Sequence, residues 1–415
     1  MLPRKAGEVD MGPEARREYV MAMRERYGLM NRQGKGRVLD EFCAMMACHR
    51  KHAIRALNAV APGPSRRSGP TVRYGACERQ VLKAVWLAAD QPCGKRLVAA
   101  LPLWLPAYGR RERLSAVTRK RLLTMSAATA DRLLAPERVR LKPKGLCGTR
   151  PGSLLKTQIP IRGQSWDEQR PGYLEADTVA HCGPSLAGDF VWSLTFTDIA
   201  TGWTANRAVW NRGAVGVLEQ LAEVETVLPF TILGFDCDNG SEFLNHHLWA
   251  YLRQRKEPVD FTRSRPYHKN DQAYVEQKNY THVRQLLGYE RLGWHELVEP
   301  INVLYRLCDQ FRNAFLPVMK LASKSREGTK IKKRYDPPQT PLARILDSPH
   351  TAQNRKRLLR EEISRLDPFD LKDQIETQLR QVFSLKRRLE SGNESMLRYS
   401  ARPEPGQVPL GNVFP

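Results

Sequence analysis

The chain has 415 residues, and 67 Lys and Arg stand against 44 Asp and Glu, a formal charge of +23. Hydrophobic residues make up 41%, enough for packed cores, so wholesale disorder is excluded. No apolar run nears the roughly 20 residues of a spanning helix, and the opening MLPRKAGEVDMGPEARREY has no apolar signal core. The eight Cys include no C-x-x-C pair. Membrane and secreted classes are excluded on these grounds. A reducing interior and a polyanionic partner, nucleic acid first, are expected.

In chain order, residues 14–60 read as helical. Val38, Leu39, Phe42 and Met45 or Met46 give a 3.6-residue stripe, broken near Ala47 and Cys48. In the next segment Ala53, Ile54 and Leu57 are expected to face inward, with Arg50, Lys51 and Arg55 facing out. Two short helices, a tight joint and a basic second helix read as a helix-turn-helix DNA-binding unit over 14–60; an ordinary helical hairpin gives the same pattern. Cys43, Cys48, His49 and His52 fall within ten residues. Only Cys48 and His52 share a helix face, whereas zinc draws ligands from separated elements, so the joint is the preferred account.

Residues 61–73 form a linker, three Pro and two Gly marking 61–70. Residues 74–140 are helical again, and Ser126 is expected to cap a helix exposing Thr129 and Arg132. This segment reads as a second helical DNA-binding domain or a simple bundle. A Pro-, Gly- and Lys-rich connector follows over 141–170.

The texture then changes. GYLEADTVA, DFVWSLTFTDI and WTANRAVW are β-rich, with a turn at Ala200-Thr201-Gly202. GAVGVLEQLAEVETVL is an amphipathic helix, and FTILGFDCDNG is a strand ending in acids. A helix, the short strand PVDFTRS and the helix DQAYVEQKNYTHVRQLLG complete the order β-β-β-α-β-α-β-α. That order implies a mixed sheet flanked by helices. Beyond it, 293–401 reads as a basic, mostly helical region broken at Pro368. Its 320–334 stretch holds Lys320, Lys324, Arg326, Lys330, Lys332, Lys333 and Arg334. This stretch is expected to track a nucleic-acid backbone or to be a solvated linker. Residues 402–415 are expected to be a disordered tail.

Charge follows the same divisions. Residues 171–292 hold 11 Lys and Arg against 15 Asp and Glu, a net of −4, leaving +27 for the rest. An acidic island between basic flanks suits a metal-dependent enzyme acting on a polyanion, although a neutral core with basic tails looks alike. Within the island Asp177 interrupts the first apolar strand, Asp238 follows the fourth, and Glu276 opens the last helix. An Asp inside an apolar strand is costly unless compensated, and Mg²⁺ takes hard oxygen ligands. Neighbouring first and fourth strands would set the two Asp side by side.

YLEADTV, FDCDNGSEF and SRPYHKNDQAYVEQKN together resemble the Asp-Asp-Glu signature of bacterial insertion-sequence transposases and retroviral-type integrases. The likeness covers about 171–292. KTQIPIRGQSWDEQRPG before it and TPLARIL after it look like those transposases too. It implies a ribonuclease-H-like core in which Asp177, Asp238 and Glu276 hold two Mg²⁺ or Mn²⁺ ions. Also implied are cleavage at mobile-element ends, 3′-hydroxyl strand transfer into double-stranded target DNA, a homo-oligomer on DNA, and residence on the bacterial nucleoid in the cytoplasm. A non-catalytic DNA-binding derivative and a nuclease that cuts without joining are the alternatives.

Around the signature, Glu175 shares the strand face of Asp177 and is a second acid of the site or the ligand itself. Asp198 is expected to cap its turn, and Asp236 and Glu242 to be structural, the latter early in a helix. Lys269, Lys278 and Arg284 are candidate DNA contacts, with His268 beside Lys269. The family often has a basic residue seven positions after its Glu; here that position is Val283.

Overall fold

The computed structural model describes residues 12–59, 73–141, 169–237, 242–243, 245–263, 273–327 and 330–400. It divides into two compact units, Met1–Arg73 and Tyr74–Pro415.

The first unit holds α1 (Pro13–Leu29), α2 (Arg32–Met46) and α3 (Arg50–Asn58) around Met23, Tyr27, Val38, Leu39, Phe42, Ala53 and Leu57. Asn31 caps α2 by accepting from Gly34 N, and α2 ends where Ala47 turns left-handed at φ 49°. His49 then caps α3 through Nδ1, accepting from Lys51 N at 3.2 Å. Arg24 Nε donates to Ala56 O at 2.7 Å and ties α1 to α3. One inward expectation fails: Ile54 is 39% exposed. Ala53 and Leu57, four apart, form the buried line of this short helix, and Ile54 lies about 100° round from it.

The second unit opens with α4 (Ala76–Ala88), α5 (Gly94–Arg111), α6 (Ala116–Leu123) and α7 (Ala127–Arg140). Ser115 and Ser126 cap α6 and α7. Five strands follow: β1 (Tyr173–Ala180), β2 (Val191–Asp198), β3 (Thr204–Trp210), β4 (Gly234–Cys237) and β5 (Asp260–Arg263). Their order is β3-β2-β1-β4-β5. β1, β2 and β3 form an antiparallel meander, while β4 and β5 run parallel to β1, so the expected mixed sheet is present. α8 (Ala214–Val227) and α9 (His246–Arg253) pack Val217, Leu221, Val224, Leu248 and Leu252 into one cluster with Phe196, Phe235 and Phe261 of the sheet. Asp198 caps the β2–β3 turn as expected, accepting from Gly172 N and Thr201 N at 2.8 Å each. Burial pushes its carboxyl up to about 6.

The last core helix is composite: α10 (Ala273–Lys278), a π-helical segment (Asn279–Arg284) and α11 (Gln285–Leu287). One 3₁₀ turn (His295–Leu297) then leads into α12 (Val298–Phe315). α12 covers the sheet edge at β3. Asn302 bonds both the N–H and the C=O of Ala208, and Asn313 does the same for Thr204. Between them Asp309 accepts from Asn206 N at 3.2 Å and pairs with buried Arg207 at 2.9 Å. Three side chains thus satisfy backbone groups that an open edge would leave for another strand.

α12 also joins the sheet to the helices of residues 76–140. Trp104 of α5 packs edge-on against Phe311 and Phe369, and its Nε1 donates to Phe315 O at 3.0 Å. One hydrophobic cluster therefore holds α4, α5, α7, α12 and the carboxy-terminal α15 (Pro368–Ser400). The basic 320–334 stretch is neither helix nor linker. It forms the antiparallel hairpin β6 (Leu321–Glu327) and β7 (Lys330–Tyr335), whose density of charge hides the strand alternation. α13 (Pro341–Asp347) and α14 (Gln353–Ser364) follow, and the break before Pro368 is as expected. Residues 402–415 lie outside the described residues.

Candidate active site

Strand alternation places Glu175 and Asp177 on one face of β1, with buried Ala176 pointing the other way. Glu175 is 1% exposed, and its Oε2 accepts from Val275 N at 3.2 Å. Val275 is in the first turn of α10, where backbone N–H groups lack intrahelical acceptors, so the buried carboxylate supplies one. Asp177 is half-buried. Its Oδ1 accepts from Thr178 N at 2.7 Å and its Oδ2 from Asn279 Nδ2 at 2.5 Å. Four residues of α10 span about 6 Å, and two residues of β1 span about 6.6 Å. The helix therefore runs along the strand, pinned at Val275 and Asn279. Glu276 lies between these two contacts and is exposed.

β4 is the parallel neighbour of β1, in the register Glu175↔Asp236 and Ala176↔Cys237. Asp236 is fully buried and accepts from Thr262 Oγ1 at 2.7 Å. Asp238, directly after Cys237 in the chain, lies outside the described residues. Glu242 is not in a helix: it precedes α9, which starts at His246 behind its Asn245 cap. It is buried, accepts from Thr178 Oγ1 at 3.0 Å and pairs with Arg212 at 3.5 Å. Among the described residues no group of three or more His, Cys, Asp or Glu could hold a metal ion.

The other predicted residues are dispersed. Arg50, Lys51 and Arg55 are exposed on α3, with Arg50 ion-paired to Asp40. Thr129 is half-buried rather than exposed, because its hydroxyl is bonded to Ser126 Oγ at 2.9 Å and to Arg132 Nη2 at 3.1 Å. Arg132 itself is exposed. Arg284 is engaged in the fold: it donates to Ala180 O at 2.9 Å and stacks over Tyr289 at 4.8 Å. Lys332 and Lys333 are exposed on β7; Lys330 opens that strand, and its side chain lies outside the description. Lys269 and His268 lie outside the described residues. Val283, at the position where the family often has a cation, is fully buried, and the π-helical segment there bonds i to i+5 and shifts the side-chain phase.

Lys278 is half-buried on α10. Burial lowers its ammonium from the ordinary value, and the charges of Arg96, Arg312 and Arg344 push the same way. His282, one turn on, is held well below the usual imidazole range by burial and by Arg312, Lys278 and Arg96. Asn279 and the grouping of Lys278 with Arg96, His282, Arg312 and Arg344 were missed in the sequence. Asn279 had a signal, three positions after Glu276 and so on a neighbouring part of the same helix surface. The grouping of the basic residues at 96, 282, 312 and 344 around Lys278 had none.

The uncharacterized protein y4rM of Sinorhizobium fredii (strain NBRC 101917 / NGR234) is 42% identical over 334 residues, 79% of this chain and 94% of that protein. The chain belongs to the y4rM family. No family profile matches it. Among solved structures, the catalytic core domain of BIV integrase aligns with 28% of the y4rM-family chain and 71% of its own, at 17% identity and a TM-score of 0.21.

Proposed function

We propose that the protein is a DNA transposase, cutting at the ends of a mobile element and joining the freed 3′-hydroxyl to target DNA. The observation that carries this reading is the docking of α10 along β1, which sets the turn bearing Glu276 over the strand bearing Asp177. The reading requires Asp238 to stand beside Asp177.

The donor set fits a hard divalent cation. Asp177 and Glu276 offer carboxylate oxygens, and an oxygen that accepts one hydrogen bond keeps lone pairs for a metal. Asp177, Asp238 and Glu276 would hold two Mg²⁺ or Mn²⁺ ions, which supply charge neutralisation at the phosphate and activation of the attacking oxygen. The protein's own part is positional. Asn279 fixes the rotamer of Asp177, and Glu175 fixes the start of α10 and hence Glu276. Water attacks the phosphodiester at the element end, releasing a 3′-hydroxyl. That hydroxyl then attacks a target phosphodiester, and one bond forms as one breaks in each step, with no covalent protein–DNA intermediate.

Exposed cations on α3 (Arg50, Lys51, Arg55), Arg132, and Lys332 and Lys333 of β7 would contact backbone phosphates, with α2 and α3 acting as the helix-turn-helix. Two element ends need two active sites, which favours a homo-oligomer on DNA. No described helix is long and apolar enough to cross a membrane, and the nucleoid is the proposed place of action. The test is to incubate the protein with the DNA flanking its own gene and Mg²⁺, with and without chelator. Chelator-sensitive nicking and joined products are expected. Full activity in Asp238→Asn would refute the assignment.

A further inference from the structure

Cys43 and Cys48 stand on either side of the joint between α2 and α3. α2 ends in the left-handed region at Ala47, φ 49°, which turns the N–H groups of Ala47 and Cys48 back onto the Cys43 carbonyl, with Cys48 N at 3.3 Å. A cap of this kind sets the side chain of the residue just beyond it against that of a residue one turn earlier. Here both of those side chains are thiols. Each is partly buried against the cluster of Met23, Val38, Phe42 and Leu57 that holds the three helices together. Burial raises the Cys48 thiol from its ordinary value, and the adjoining Cys43 thiol, hydrogen-bonded to it, pushes the same way.

The joint itself is lightly held. Ala47 carries a Cβ where glycine is the usual residue, so its left-handed backbone is costly. The ion pair between Arg50 of α3 and Asp40 of α2 is exposed on both sides and adds little. A covalent bond between the two neighbouring thiols would change this joint more than the polar contacts already there.

We propose that Cys43 and Cys48 form a redox site, a dithiol that closes to an intrachain disulfide and fixes α3 on α2. The oxidant is a low-molecular-weight disulfide such as oxidised glutathione. The Cys43 thiolate attacks one of its sulfurs, forming a mixed disulfide and expelling a small thiolate. Cys48, which holds its proton longer, then gives it up and attacks Cys43 Sγ, expelling the second small thiolate. Two electrons pass from the cysteine pair to the oxidant, and the two thiol protons end on the two small thiols. In a reducing interior the pair rests as thiols and closes only when the poise turns oxidising. α3 carries Arg50, Lys51 and Arg55, so the bond acts on the helix that the transposase reading sends to DNA. The redox chemistry itself does not rest on that reading.

The test places the full chain in glutathione buffers of increasingly oxidising poise, quenches by alkylation and maps the cysteines by mass spectrometry. Cys43 and Cys48 should lose their alkylation together, gain one shared disulfide, and recover both thiols when excess reduced glutathione is returned. Hydrogen exchange over α3 should slow about tenfold in the oxidised protein. Cys48→Ser, or Cys43→Ser should the first fold poorly, should show no slowing. Full alkylation of both residues in oxidised glutathione, or disulfides joining them to other cysteines or to a second chain, overturns the site. A Cys43–Cys48 bond with unchanged exchange, or equal slowing in the Ser variant, overturns its hold on α3. Oxidation should also tighten duplex DNA binding about threefold by removing an ordering cost. Equal affinity in the two redox forms overturns the link to DNA. No duplex binding by either form, with the disulfide still forming, sinks the transposase reading alone.

Discussion

The acids of β1 and the basic residues around Lys278 are built on opposite electrostatic plans. On the side facing β1, each acid has donors: Glu175 has the Val275 N–H, and Asp177 has Asn279 and Thr178 N. Around Lys278 and His282 the charges of Arg96 and Arg312 are felt, and among the described residues no carboxylate pairs with Lys278. The folding free energy of a domain is small, so an arrangement that gives each acid a donor adds stability where one that crowds cations subtracts it.

Removal of the acids should have the largest effect. Asp177→Asn, Asp238→Asn and Glu276→Gln should each reduce strand cleavage and joining to the uncatalysed background, while duplex binding in a mobility-shift assay persists. A variant that cleaves at the wild-type rate removes its residue from the site. Asn279→Ala should act more mildly, lowering the cleavage rate about 10–100-fold, as loss of a ligand's supporting hydrogen bond does. A rate within a factor of two of the wild type would make Asn279 a packing residue only.

Stability offers a third handle, away from the site. The Asp198 carboxyl is pushed up to about 6 by burial, despite its bonds from Thr201 and Gly172. A raised folded-state value means the native state holds the proton more tightly than the unfolded chain. Its contribution is therefore full below the ordinary carboxylate range and is lost as pH rises through about 6. The stability of the wild type relative to Asp198→Asn should fall by roughly 2 kcal/mol between pH 4 and 6.5, taking about 1.4 kcal/mol per pH unit. Parallel urea-unfolding curves across that range would disprove it. Asn302→Ala should cost about 1–3 kcal/mol, because Ala208 N–H and C=O lose their partners at the sheet edge. An unchanged urea midpoint would show that the edge is covered some other way.

The sequence reveals those parts of the architecture that repeat at short range. Alternation in GYLEADTVA placed Glu175 and Asp177 on one face, and the β-β-β-α-β-α-β-α order led to the mixed sheet. The function of Glu175 was open, because whether a buried acid binds a metal or a helix N-terminus depends on what packs over it. The edge cover by Asn302, Asp309 and Asn313 reads in sequence as an ordinary polar stripe. The π-helical segment that buries Val283 leaves no composition signal. The β6–β7 hairpin was missed because Lys and Arg occupy both faces of its strands. The cation cluster is assembled entirely by tertiary packing.

On the transposase reading, three carboxylates remote in sequence meet where α10 lies along β1. Mn²⁺ anomalous diffraction from crystals of the full chain would test it most directly. Peaks ligated by Asp177, Asp238 and Glu276 are expected, with Asn279 still on Asp177. Density elsewhere, or an Asp238 carboxylate turned away from Asp177, would contradict it.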